Sequence, residues 1–399
     1  MRVVLAPTRF AGTLTAAEAA EAMARGWSRA APHDEMVRAP MSDGGPGFLD
    51  VLGDALLGRG HLPLAGDVLA ATVSDPRGRP VPAAVLVVEH EGKRTAYVES
   101  AQAVGPELVA PADRDPAHTS SAGLGELLDL ALSTRPTTIV VGVGPTATHD
   151  AGAGMLAALG GGEPGVLARG GLLLADARAE EIEALTAARE RFSGVRLTLA
   201  TTATLPLLGF EGASAVEATQ RGATPEQAQA LESAFGRWVH VVERVLPQQR
   251  DLVTRQPRRV DREPGAGAGG GLGYALLLLG ARRVDGADLV ADLVGLSSTV
   301  READLVVTGE GTYDWRSLRD SAPAAVSARA MAAGIPAVVL AGLVQVGRRE
   351  AMTAGISGIY AVADRSDRVR TALADPAGSL EARAARVAAT WSPAPEGSA

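Results

Sequence analysis

The 399-residue chain contains no cysteine. Disulfides, thiolate nucleophiles and cysteine-ligated zinc are therefore excluded. Aromatic residues make up only 3%, so the cores must be built from Ala, Val and Leu, and a base-stacking platform for single-stranded nucleic acid is not expected. The net charge of −8 also argues against a nucleic-acid partner, since phosphate backbones demand a basic face. Lysine is almost missing. Lys93 is the single one and every other basic side chain is Arg, so no second lysine can serve in catalysis or hold a phosphate. Long apolar runs are missing too. "YALLLLGA" (274–281) is far short of a membrane span, and "MRVVLAPTRF" breaks at Pro7, too short for a signal peptide. The expectation is a cytoplasmic protein with no membrane partner. The six histidines show no metal-ligand spacing, and neither G-x-S-x-G nor the phosphate-loop pattern G-x-x-x-x-G-K-[ST] occurs.

Hydrophobic residues, at 46%, suffice for more than one core, and the length makes two domains the default. "RVVLAP" (2–7) reads as a buried strand. A helix opened by the capping box Thr15/Glu18 follows, with Ala19, Met23, Trp27 and Ala30 as its apolar stripe. After about residue 70 the pattern changes to short β-rich runs separated by Asp75-Pro76 and Glu91-Gly92, which predicts antiparallel hairpins. Thr224, Pro225 and Gln227 open a second capped helix. Strand–helix alternation returns with strands at 303–309, 335–342 and 355–363. The simplest architecture is α/β: a parallel-sheet domain built from both chain ends (1–65 and 287–391), an inserted α/β domain with antiparallel hairpins (66–286), and a disordered tail (392–399).

Four loops are rich in glycine, and all but the third add carboxylates: "SDGGPG" (42–47), "GVGPTATHDAGAG" (142–154), "GAGAGGGLG" (265–273) and "TGEGTYD" (308–314). Glycine lets a backbone approach a ligand and turn its N–H groups inward. Ligands of α/β sheets gather beyond the carboxyl ends of strands. Gly142, Gly144 and Ala147 also fit a dinucleotide fingerprint, as do Gly265, Gly267 and Gly270, but Pro145 interrupts the first and no strand precedes the second. His149 reads as a loop-capping residue and His240 as an ordinary helix residue.

Together these segments resemble the glycerate kinase family. The matching stretches are "APTRFAGTLTAAEAAEAM", "DGGPG", "GPTATHDAGAGMLAALG", "EGASAVEATQRGATPEQ", "PGAGAGGGLG" and "TGEGTYD", in order and over nearly the full chain. The resemblance implies a flavodoxin-like domain with an inserted α/β domain. It also implies ATP and Mg2+ as cofactors, and a small hydroxy acid meeting the nucleotide in a cleft between the domains. Transfer of the γ-phosphate to a hydroxyl of glycerate or a related acid is the implied reaction, and a homodimer is left open. Catalytic roles fall to Asp43, Asp150, Asp314, Arg9 and Arg316, with Asp43 and Asp314 also holding metal. Gly144, Thr146, Thr148, Thr308, Gly309, Glu310, Gly311 and Gly267 would hold the nucleotide. The chain departs from the family pattern at Thr8, Ala11, Pro46, His149, Thr202, Leu205, Arg316, Asp320 and Ser321. Ala11 and Ser321 stand where the family has lysine. The alternative is a catalytically impaired member that binds a nucleotide or metabolite for regulation.

Overall fold

The computed structural model describes residues 1–58, 64–246, 255 and 257–392; of the tail expected to be disordered, 393–399 lie outside them. The described chain forms two compact units. One takes in residues 1–43, 50–58 and 287–392. The other takes in 44–49 and the described part of 64–286.

The first unit is built on strands β1 (Arg2–Pro7) and β2 (Glu35–Arg38). The second supplies β3 (Ala65–Ser74), β4 (Pro80–His90), β5 (Lys93–Glu99), β6 (Thr138–Gly142), β7 (Arg196–Ala200) and β8 (Arg282–Val284). The chain then returns to the first with β9 (Leu305–Gly309), the short β10 (Thr312–Tyr313), β11 (Ala337–Ala341), β12 (Leu343–Val344) and β13 (Ile356–Ala361).

In the first unit five strands lie in the order β13-β11-β9-β1-β2, every pairing parallel. β1 is followed through the helix Ala16–Ala30 by β2 on one side. β9 is followed through the helix Ala322–Ala333 by β11 on the other. The order in which successive strands are added therefore reverses between β1 and β9, and that is where an open parallel sheet leaves a crevice at its carboxyl edge. β1, β9 and β11 read as continuous apolar runs because helices cover both faces.

Helix Ala16–Ala30 begins at the expected capping box, Thr15 accepting from the Glu18 N–H. Ala19, Met23 and Trp27 are buried, but Ala30 is exposed. The buried place falls instead to Ala31, four residues after Trp27, on the face along which the helix Pro376–Trp391 packs. That packing is close because Gly26 has no side chain. A Cβ there would stand 2.1 Å from the Glu381 carbonyl oxygen.

The second unit has a six-stranded sheet in the order β3-β4-β5-β6-β7-β8. β3/β4 and β4/β5 are antiparallel and the other pairs parallel. The expected hairpins are present. Glu91 and Gly92, with φ of 50° and 69°, form the two-residue turn between β4 and β5, the backbone twist a tight hairpin favours. Thr224 caps the helix Pro225–Val245 as predicted. That helix contributes Phe235 and Trp238 to the core. The glycine run 265–273 does not open its helix smoothly. Gly269, Gly270 and Gly271 have positive φ inside the segment Ala268–Leu278.

Gly26→Ala should therefore destabilise the protein by about 1–3 kcal/mol through overpacking. Gly53→Ala, in the helix Phe48–Leu56 with nothing within 4 Å of the added Cβ, should be neutral or stabilising by up to about 1 kcal/mol. Denaturant melts of the two variants check the contrast.

Candidate active site

In the first unit the chemistry-bearing residues follow the carboxyl ends of the strands. Thr8 and Arg9 follow β1, Asp43 follows β2, and Glu310, Gly311 and Asp314 follow β9. The Thr8 N–H donates to the Gly309 carbonyl at 2.8 Å, which ties the two central loops together. A Cβ on Gly309 would meet the Leu340 carbonyl oxygen at 1.9 Å, so glycine is required for β9 and β11 to close up. Thr308 is fully buried and donates its hydroxyl to the Ala6 carbonyl at 2.8 Å. Its side chain serves the sheet.

Glu310 is the electrostatic centre of this edge. Burial pushes its carboxyl up to about 7; a bond from Ser317 opposes the rise, and the charges of Asp43 and Asp314 add to it. Its Oε1 is buried without a hydrogen-bond partner. Asp314 Oδ1 accepts from the Arg316 N–H at 2.7 Å and the Ser317 N–H at 3.4 Å, which fixes the turn behind the carboxylate. Arg316 is exposed and lies over the ring of exposed Trp315, 5.2 Å from its centroid. Arg9 is half-buried on the loop after β1. Among the described residues no group of three or more His, Asp or Glu side chains is set as a metal site, so a metal pair of Asp43 and Asp314 is not a preassembled centre.

In the second unit the loop after β6 is organised from inside. Asp150 is fully buried. Its carboxylate accepts from the Ser121 N–H and hydroxyl, both at 2.8 Å, and from the N–H groups of Gly152 at 3.1 Å and Gly154 at 3.2 Å. Burial raises its carboxyl above the usual range, and these bonds work the other way. Asp150, expected above among the catalytic residues, organises the loop through these four bonds.

Thr146 donates its hydroxyl to the Thr148 carbonyl at 3.1 Å. Thr148 is buried, and its hydroxyl has no partner. Gly144 allows the approach of the 44–47 loop, since a Cβ on it would stand 2.5 Å from the Gly45 Cα. That second loop is itself held by buried Glu99, which accepts from the N–H groups of Gly47 at 3.1 Å and Leu49 at 3.0 Å. Gly267 donates its N–H to the Leu205 carbonyl at 3.0 Å, and a Cβ would meet the Pro206 carbonyl oxygen at 2.3 Å. Its place is explained by packing.

His149 is not a loop cap. It is fully buried, stacked on Phe235 with centroids 5.0 Å apart, and its Nε2 is 3.0 Å from the Ser214 hydroxyl. Burial holds its imidazole well below the ordinary value, and the Arg221 charge adds to this. Arg221 and exposed Trp315 were missed at the level of sequence. "QRGA", where the family pattern has lysine in place of arginine, was the available signal for the first.

A model of the glycerate kinase family matches residues 3–392. The chain belongs to the glycerate kinase family. A glycerate kinase of Bacillus subtilis is 32% identical over 396 residues, covering 98% of this chain and 97% of its own. An uncharacterised protein of Mycobacterium bovis is 36% identical over 395 residues, 98% of this chain and 91% of its own. A crystal structure from Salmonella typhimurium LT2, assigned to a glycerate kinase 2, superposes with a TM-score of 0.69 at 32% identity and covers 98% of each chain. The α/β architecture with parallel sheets and one sheet carrying antiparallel strands is thus that of this kinase family. Among the described residues no helix is long and apolar enough to cross a membrane.

His149 supplies a pH test. Its folded value lies well below its ordinary one, so below pH about 6.5 the unfolded chain takes up a proton that the folded chain refuses. Stability present above that pH is lost as the pH falls, at up to about 1.4 kcal/mol per pH unit. His149→Asn should flatten the fall in melting temperature between pH 7 and 5 relative to the wild type, whatever its effect at pH 8.

Proposed function

We propose that the chain transfers the γ-phosphoryl group of ATP to a hydroxyl of glycerate or a closely related small hydroxy acid. The observation that carries this reading is Glu310. It is a mostly buried carboxylate with an unpartnered oxygen, beside Asp43 and Asp314, at the reversal point of a parallel sheet. The reading also rests on the family and on the name of the Bacillus subtilis relative.

Phosphoryl transfer asks a protein mainly to position its reactants and to balance charge. Asp43 and Asp314 are hard oxygen donors, the chemistry magnesium takes. The charge they impose on Glu310 is what a cation would relieve, so the residues present fit the metal. When bound with ATP, magnesium would neutralise phosphate charge. Glu310 Oε1, which no protein group occupies, accepts the proton of the substrate hydroxyl, and removal of that proton makes the oxygen a better nucleophile. The turn held by Asp314 Oδ1 keeps the Asp314 carboxylate in one orientation. The grouped carboxylates favour turnover over the binding-only alternative. Arg9 and Arg316 are the cations we assign to the substrate side, in place of the lysines that Ala11 and Ser321 replace. Arg pairs with carboxylate and phosphate, although not with the geometry of Lys.

A coupled assay of ATP consumption over a panel of small hydroxy acids tests the reading. Turnover of glycerate supports it, and no turnover of any member overturns it, ATP binding by calorimetry then leaving the binding-only alternative. Asp314→Asn should lower kcat by about 10²-fold or more while the fold persists, as expected for a group acting in the reaction itself. Glu310→Gln should lower kcat by about 10²–10⁴-fold.

The same variant has a stability signature without nucleotide or metal. The folded carboxyl titrates at about 7 against 4.5 in the open chain, so the folded state holds its proton longer. Stability present below pH 4.5 is lost as the pH rises through 7, up to about 3 kcal/mol. Glu310→Gln should accordingly raise the melting temperature at pH 8 more than at pH 5.

A further inference from the structure

The glycine-rich loop after β6 is held from behind by a buried cation. Arg221 is 8% exposed. Its Nε donates to the Thr146 carbonyl at 3.0 Å, and its Nη2 lies 2.6 Å from Glu217 Oε2. Its Nη1 is buried and has no hydrogen-bond partner. A guanidinium is a rigid fork of five donors, held here by the hydrogen bond to Thr146 and the ion pair with Glu217.

Two further buried polar atoms without partners lie on the same loop, Thr148 Oγ1 and His149 Nδ1. Arg221 is near enough to His149 for its charge to act on the ring. Neutral bonds also pin the loop. Ala147 donates its N–H to the Val104 carbonyl at 2.8 Å and accepts from the Thr119 hydroxyl at 2.9 Å; Ala151 donates to the Gly270 carbonyl at 3.1 Å. Asp150 holds the far end of the loop from within, through the N–H groups of Gly152 and Gly154, and Arg221 holds Thr146 from outside it. In the stretch that Arg221 sets, Gly144 is half-buried, Pro145 is exposed and carries no N–H, and Thr146 is buried, so the donors a small oxyanion could meet there are the N–H groups of Gly144 and Thr146.

We propose that Arg221 is the positioning residue of this loop. By holding the Thr146 carbonyl it fixes Gly144–Thr146 to receive an oxyanion, either a phosphate of the nucleotide or the carboxylate of the hydroxy acid. Glu217 pairs with Arg221, and the effect on the loop passes through the Thr146 carbonyl. The inference rests on the kinase reading for the identity of the ligands, not for the role of the loop.

The experiment compares the wild type with Arg221→Lys, Arg221→Gln and Arg221→Ala. ATP and glycerate are titrated separately by calorimetry, KM and kcat are measured for each, and melting is followed by circular dichroism. In folded Arg221→Gln, KM and Kd should rise about tenfold or more for one of the two ligands and stay within about twofold for the other. Arg221→Lys should fall between, because an ammonium keeps the charge but lacks the fork. Guanidinium at tens of millimolar should restore part of the lost affinity in Arg221→Ala. A rise confined to ATP assigns the oxyanion to a phosphate, and one confined to glycerate assigns it to the carboxylate.

The proposal is overturned if a folded variant binds both ligands as the wild type does. It is also overturned if both affinities and the melting temperature fall together with no rescue by guanidinium. Should Arg221→Gln not fold, Arg221→Lys decides by the same selectivity of the KM change. A wild type that binds ATP and turns over no hydroxy acid removes the kinase reading, while the binding comparison still decides the role of Arg221.

Discussion

A carboxylate turned away from water organises the glycine-rich loop. Asp150 has the composition of a catalytic residue, an acid amid glycines beyond a parallel strand. The fold instead buries it and surrounds it with four donors from Ser121, Gly152 and Gly154. A buried carboxylate is tolerated only when its lone pairs are met. Meeting them draws residues 121, 152 and 154 around one point and makes the loop a fixed surface. The same device recurs at smaller scale, where buried Glu99 gathers the N–H groups of Gly47 and Leu49. In both places an acid does the work of a covalent tie, in a chain that has no cysteine to make one.

The first unit uses its acids the other way. Glu310 stands at the carboxyl edge of the sheet with one oxygen unmatched, and its neighbours Asp43 and Asp314 raise the cost of ionising it. An unmatched buried carboxylate is a local weakness in a resting protein. Such groups persist where a ligand or a reacting proton later satisfies them. The contrast between Asp150 and Glu310 is one of partners, since both are acids in glycine-rich loops after parallel strands.

Much of this was legible in the order of residues. The hairpin turn at Glu91-Gly92, the capping boxes at Thr15 and Thr224, and the apolar runs of β1, β9 and β11 follow from rules that operate within a few residues. The motif order also singled out Asp43, Glu310 and Asp314. Ala30 shows where a local pattern overreaches, because it continues the spacing of the apolar stripe while the buried place falls to Ala31, four residues after Trp27.

What the sequence by itself determined is which segments become strands, helices and turns, and which loops carry acids and glycines, because backbone sterics and hydrophobic periodicity are local properties. Tertiary structure alone decided what each polar group does. Asp150 meets Ser121 from 29 residues away, and Arg221 meets Thr146 from 75 residues away. Gly26 and Gly267 are glycines because of the Glu381 and Pro206 carbonyls that press on them. The free energy of a buried charge or donor depends on partners brought by the fold, and no spacing along the chain encodes whether those partners will be there.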